Sequence, residues 1–232
     1  MKLKPFPAED WTPVFREYIG KELKYLPPDW LDKKLIEILP PDESTLKAQC
    51  AKVIAAKGER QMRLHGILGQ VEGLHLGLMA LVRARRPVAL DTPITFRLLN
   101  AANDELLPVL FYFKTEFNAA RPSAYIKDLN PMFARPDPNY PGHPTYPSGH
   151  AAQSRLFALV LGAMFSKLGA DLITLANDVA YNREVAGVHF EADSEAGQDL
   201  AAKVFKLLMS NPKFACMVSL AQAEWPENKD LR

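Results

Sequence analysis

Apolar residues return three and four positions apart through most of this chain. Few stretches alternate at a period of two, so the pattern predicts helices almost throughout. A short helix is expected over Trp11 to Gly20, stopped by the glycine, and another over Asp29 to Leu39, stopped by Pro40-Pro41. Ser44 stands where it can cap a long helical stretch running toward Val82, with a break near Gly58. Thr92 followed by Pro93 reads as an N-cap with proline in the first turn, opening a helix that reaches Phe117 with a break near Pro108. Seven prolines between Pro122 and Pro147 make that segment a long loop, and loops of this length inside a compact domain usually carry function. Beyond it, Ser148 opens a helix to about Leu168, and Asp171 opens one ending near Gly187. Phe190 to about Met209 forms another, and Pro212 starts the last. With no internal repeat and no linker, the pattern reads as one all-α domain over residues 1–232, a helical bundle.

Composition narrows the function more than the fold. Apolar types at 48% and charged types at 24% are ordinary for a folded domain and exclude general disorder, and 232 residues can bury a sizeable core. Lys plus Arg number 28 against 27 for Asp plus Glu, which excludes a nucleic-acid binder relying on bulk positive charge. An anionic small substrate remains open, because a site needs only a few local cations. Cys50 and Cys216, far apart and with no Cys-x-x-Cys or Cys/His zinc spacing, read as two buried thiols, with a long-range disulfide as the alternative. Prolines and acids among the first ten residues leave no apolar leader, and the longest apolar run, Leu156 to Phe165, falls short of the roughly 20 residues a span requires. The expectation is a soluble chain, cytoplasmic by default and periplasmic or secreted where a leader has been removed.

Three short segments around the long loop carry the chemistry. The first runs from Lys114 to Arg121-Pro122, the second is Pro147-Ser148-Gly149-His150, and the third runs from Asn182-Arg183 to His189 and Asp193. Lys114 and Arg121, seven apart, can share a helix face. Ser148 caps a strong helical run, so the amides of Ser148, Gly149 and His150 stand at a helix N-terminus, where free N–H groups and the dipole attract anions. Asp193, four residues after His189, can hold one imidazole nitrogen and leave the other as a nucleophile. Arg183 offers a planar donor fork suited to phosphate. Cations for the equatorial oxygens, a nucleophile and a second histidine as proton donor together fit phosphoryl transfer through a phosphohistidine.

These segments resemble the signature of the type-2 phosphatidic acid phosphatase (PAP2) superfamily: K-x6-R-P, then P-S-G-H, then S-R-x5-H-x3-D. They stand in order, with 24 residues between the first two and 31 between the last two. P-S-G-H alone should arise by chance once in about 10^5 positions. The likeness covers roughly residues 90 to 210. Tyr146 before the P-S-G-H and the Gly-Val-His run look most like the soluble branches, above all bacterial class A acid phosphatases. Asn182 departs from the pattern's serine but still offers hydrogen bonds beside Arg183.

The resemblance implies a metal-independent phosphomonoester hydrolase acting on a small phosphorylated substrate. His189 would be the nucleophile, oriented by Asp193, and His150 the acid and then the base. Lys114, Arg121, Arg183, Ser148 and Gly149 would hold the phosphoryl oxygens. No cofactor is implied, vanadate is expected as an inhibitor, and soluble relatives often form homo-oligomers. Two other readings use the same residues. One is a vanadate-dependent haloperoxidase, whose chains and first spacing are usually longer. The other is a non-catalytic helical interaction protein keeping the signature.

Taken alone, Lys114 and Arg121 would be a solvated helix face, Ser148-Gly149 a plain cap, and His189 with Asp193 a structural pair. Their co-occurrence reverses each reading. Elsewhere, His75 reads as a packed or surface residue, and His143 can line the site mouth. Arg83, Arg85 and Arg86 read as a solvated helix end. Phe111, Tyr112, Phe113 and Phe117 read as core, with Tyr125 and Tyr140 better placed to shape a pocket.

Overall fold

The computed structural model describes residues 3–84 and 92–225, and these are all-α. They form helices and short 3-10 turns, with an isolated bridge between Pro5 and Ala119 as the β-type pairing seen among them. The helices are α1 (Glu43–Ala56), α2 (Arg60–Glu72), α3 (Leu74–Ala84), α4 (Pro93–Phe117), α5 (Gly149–Met164), α6 (Gly169–Val185), α7 (Glu191–Ser210) and α8 (Pro212–Ala223). Among the described residues no helix is long and apolar enough to cross a membrane.

Two expected helices do not form. Over Trp11 to Gly20 the chain makes a 3-10 turn, Pro13–Tyr18, because the Thr12 amide is taken by the Gly142 carbonyl (2.7 Å) and proline follows. Over Asp29 to Leu39 one turn closes through the Lys33 amide and the Asp29 carbonyl (2.9 Å), then stops at Lys34, whose φ of 52° is left-handed. Beyond it Ile36 and Ile38 are buried while Glu37 and Leu39 face solvent, an extended backbone with period two. Anchoring these isoleucines and Trp30 in the core outweighs the helical preference of the segment.

Caps differ in detail from expectation. Asp42, not Ser44, caps α1: its carboxylate accepts from the Thr45 amide (2.7 Å), and Ser44 lies inside the first turn. The long stretch to Val82 breaks near Gly58, through the 3-10 turn Lys57–Glu59, and again at Gly73. The α4 helix runs unbroken through Pro108, which is buried. Thr92 gives it no side-chain cap. Instead Glu224, just past α8, accepts from the amides of Ile94 (2.5 Å) and Thr95 (2.8 Å). The α5 cap at Ser148 forms as expected, but α5 stops at Met164 and a 3-10 turn, Ser166–Leu168, follows. Of the basic cluster, Arg83 lies over the Phe96 ring at 5.5 Å, while Arg85 and Arg86 lie outside the described residues. Both cysteines are free, but Cys50 is half-buried and Cys216 exposed, so neither is a core thiol.

The core gathers around α5, which is apolar on most sides and packs against α6 and α7. Leu156, Val160 and Leu161 meet Leu200 and Val204 of α7 and Leu172 and Ala176 of α6 in one buried cluster. Gly197 on α7 allows the closest approach. A Cβ there would stand 2.4 Å from the Ser148 carbonyl oxygen, at the start of α5. Gly197→Ala is therefore expected to lower stability by about 1–3 kcal/mol, read as a fall in Tm; an unchanged Tm would mean that the two helices part freely.

Candidate active site

The α4 helix ends at Asn118, whose φ of 43° turns the chain, so Lys114 and Arg121 do not share a helix face. They reach the site separately. Lys114, in the last turn of α4, is fully buried, and its Nζ donates to the carbonyls of Pro144 (2.8 Å), Thr145 (3.1 Å) and Pro147 (2.6 Å). Arg121, on extended backbone beyond the helix, donates through Nε to Pro141 O (3.2 Å), through Nη1 to Val188 O (2.7 Å) and through Nη2 to His143 O (2.9 Å). Burial lowers the pKa of both, that of Arg121 to about 10. The two cations thus act first as the posts around which the proline-rich loop is wound.

The loop delivers Pro147 through a cis peptide after Tyr146, whose hydroxyl donates to the Leu39 carbonyl (2.5 Å). The Ser148 hydroxyl then accepts from the Ala151 amide (3.4 Å). The Ser148 amide is already committed, donating to the Asp193 carbonyl (2.9 Å), so of the three amides expected to meet an anion it is the one turned elsewhere. His150 follows in the first turn of α5, half-buried. Burial first, and then Arg183, hold its pKa well below the ordinary histidine value.

A tight turn joins α6 to α7, with Gly187 at a φ of 77° and the Val188 amide bonded back to the Arg183 carbonyl (3.1 Å). It sets Arg183 and His189 on either side. His189 Nδ1 lies 3.1 Å from Asp193 Oδ2, which also accepts from the Phe190 amide (2.8 Å) and the Thr145 hydroxyl (2.6 Å). An Nδ1 that donates to this carboxylate leaves the lone pair on Nε2. Burial raises the Asp193 carboxyl to about 6 against the pull of these donors, and lowers His189 well below its usual value.

Arg183 differs from the other two cations. It is 2% exposed and lies over the Phe133 ring at 5.0 Å, yet its Nε and Nη1 have no hydrogen-bond partner. Burial lowers its pKa to about 9. A buried guanidinium fork with unengaged donors can receive an anion. Asn182 beside it accepts from Arg63 Nη1 (3.1 Å), tying α6 to α2 rather than facing the site.

Lys114, His143, Gly149, His150, Arg183 and His189 border one cavity of about 300 Å³. His143 therefore lines it as expected, edge-on to Phe15 (4.7 Å) and Phe111 (5.4 Å). Tyr140 borders it too. Tyr125 packs on Phe190 (5.7 Å) and accepts from the Lys4 amide (3.0 Å), outside the pocket. Phe111, expected in the core, is buried but also forms wall. His75 packs edge-on to Phe96 and Phe157.

Thr145 is a site residue that the sequence reading passed over, and a hydroxyl three residues before Ser148 was its signal. Phe15 and Tyr18, also in the wall, gave none, since nothing local ties them to a loop so far along the chain. Among the described residues no group of three His, Cys, Asp or Glu side chains could hold a metal ion.

The model of the PAP2 superfamily matches residues 98–214, half of the chain. Non-specific acid phosphatases of Salmonella typhi and Salmonella typhimurium are 30% and 29% identical to it over 87 residues, 38% of this chain and 35% of each relative. The match thus spans about a third of the length of these curated relatives.

Proposed function

Because the chain belongs to the PAP2 superfamily, we propose that it is a phosphatase that cleaves phosphomonoesters through a phosphohistidine, with no metal ion. The observation that carries this reading is Arg183: a buried fork with two unpartnered donors, bordering the cavity that also holds His150 and His189. In the first step His189 Nε2 attacks phosphorus, and the bond to the leaving oxygen breaks as His150 gives that oxygen its proton. In the second, neutral His150 takes a proton from water, the water oxygen bonds to phosphorus, and the phosphorus–nitrogen bond breaks to release phosphate. Asp193, steadied by Thr145, holds the His189 ring in one orientation throughout. Arg183 and the Gly149 and His150 amides carry the equatorial oxygens, and Lys114 and Arg121 add positive field from behind their carbonyl partners. These cations neutralise the phosphoryl group, which is the work a metal does elsewhere. The site residues fall within 114–193, and one domain suffices for the reaction.

The test is an assay over a panel of phosphomonoesters with and without chelator. Activity is expected to persist in EDTA; complete loss, restored by a divalent ion, would overturn the metal-free route. The same assay yields a pH profile. The first step needs His150 protonated, and burial with Arg183 places loss of that proton below the ordinary value of about 6.5. On an alkyl phosphate, kcat/KM is therefore expected to fall as pH rises toward neutral. A 4-nitrophenyl ester, needing less protonation, should relax this fall. A rate climbing steadily to pH 9 on the alkyl ester would remove His150 as the acid.

A further inference from the structure

The cavity beside the histidines has an aromatic side. Phe111 of α4 is stacked on by Phe15 (centroids 5.4 Å, 12° between planes) and by Tyr18 (5.3 Å, 15°), and all three border the cavity. Leu107 and Leu110, on the same helix, extend this wall. Phe15 and Tyr18 come from the turn Pro13–Tyr18, which precedes the stretch matched by the family model.

That N-terminal segment is fastened onto the proline-rich loop. The Thr12 amide donates to Gly142 O (2.7 Å), Tyr140 donates to Asp10 (2.9 Å), and Arg135 pairs with Asp10 (2.9 Å). Gly142 is needed for the approach, since a Cβ there would stand 2.0 Å from the Thr12 hydroxyl. The aromatic side is thus held in place before any ligand arrives.

Polar groups for a leaving group are few. Among the described residues no Asp or Glu borders the cavity; of its neutral polar groups the Gln153 amide nitrogen donates to Asn103 (2.8 Å), the Tyr140 hydroxyl is held by Asp10 and Asn139 is exposed, while the Gln153 carbonyl and the Tyr18 hydroxyl also belong to the wall. A sugar or nucleoside entering here would recover only part of the hydrogen bonds it gives up to water, whereas a hydrocarbon ring would gain by leaving water and packing on the rings. A volume of about 300 Å³ is at the small end for ligand sites and suits one ring rather than a long chain.

We infer that this cavity selects phosphomonoesters whose leaving group is a compact aromatic alcohol or phenol, with Phe15 and Tyr18 as the residues that set the preference. The inference rests on the phosphatase reading, and binding of non-hydrolysable phosphonates separates the two. Inorganic phosphate, methylphosphonate, 2,3-dihydroxypropylphosphonate and benzylphosphonate would be titrated into the full chain by calorimetry. Phosphate is expected to bind, and benzylphosphonate to bind about ten- to a hundredfold more tightly than methylphosphonate, with no gain for the diol. In Phe15→Ala and Tyr18→Ala the benzyl-to-methyl ratio should collapse toward one. Where circular dichroism shows either to be unfolded, the corresponding leucine variant takes its place, with a smaller fall of the ratio expected. Equal affinity for benzyl and methyl, or a preference for the diol, with phosphate still bound, overturns the inference and leaves the phosphatase reading standing. A wild-type ratio unchanged in every folded variant overturns the assignment to Phe15 and Tyr18. Failure of phosphate and all phosphonates to bind overturns both readings.

Discussion

His189→Ala is expected to lower kcat by at least about 10^4-fold, because no phosphoenzyme can form and the remaining groups only bind and polarise the ester. The fold should survive. Asp193 keeps its bonds from Thr145 and from the Phe190 amide when the imidazole is gone. With 4-nitrophenyl phosphate, rapid mixing should show neither burst nor steady turnover. His150→Ala should differ, since nitrophenolate leaves without a proton: a burst of product should appear and the phosphoenzyme should then persist. Steady-state activity of His189→Ala within tenfold of the wild type would put the nucleophile elsewhere, and so would acid-stable phosphate on a serine.

Arg183→Met is expected to move activity and stability in opposite directions. The guanidinium is buried with Nε and Nη1 unpartnered, an arrangement that costs the empty protein and that a bound anion would relieve. Removing the fork should lower kcat/KM by about 10^3-fold, the scale seen when a donor aimed at developing oxyanion charge is lost. Met is close in length and apolar, so the same change should raise stability by roughly 1–3 kcal/mol, reduced by whatever the contact with Phe133 contributes. Melting curves without phosphate and kinetics on one ester decide it. A lower Tm with kcat/KM intact would make Arg183 a structural residue.

Much of the molecule was legible where local rules act alone. Ser148, Pro212 and Gly187 mark helix boundaries by their own chemistry, and they stand where the pattern places them. The reading failed where the deciding partner is distant. Thr12 gives its amide to Gly142, and Ile36 and Ile38 are drawn into the core, so neither segment follows its periodicity. Glu224 does the work at the start of α4 that Thr92 promises, again from far along the chain. The site shows the same division. The spacing of His189 and Asp193 predicts their contact because both lie at one helix start. The motif names Lys114 and Arg121 without their partners in the loop. Their donors are engaged by loop carbonyls, visible only once Pro141 to Pro147 is folded around them.

Those engaged donors bear on what the signature means when it turns up in other chains. Lys114 and Arg121 hold the loop, and Asp193 accepts the Phe190 amide at the start of α7, so each would be kept by the demands of folding even in a descendant that had lost all chemistry. Arg183 stands under the opposite pressure. Its unpartnered donors burden the empty fold, and drift in an idle descendant would replace it early with an apolar side chain. For the phosphatase proposed above, an arginine at this position is therefore the better mark of a working enzyme, and its loss, with the lysine and aspartate intact, the earliest mark of retirement.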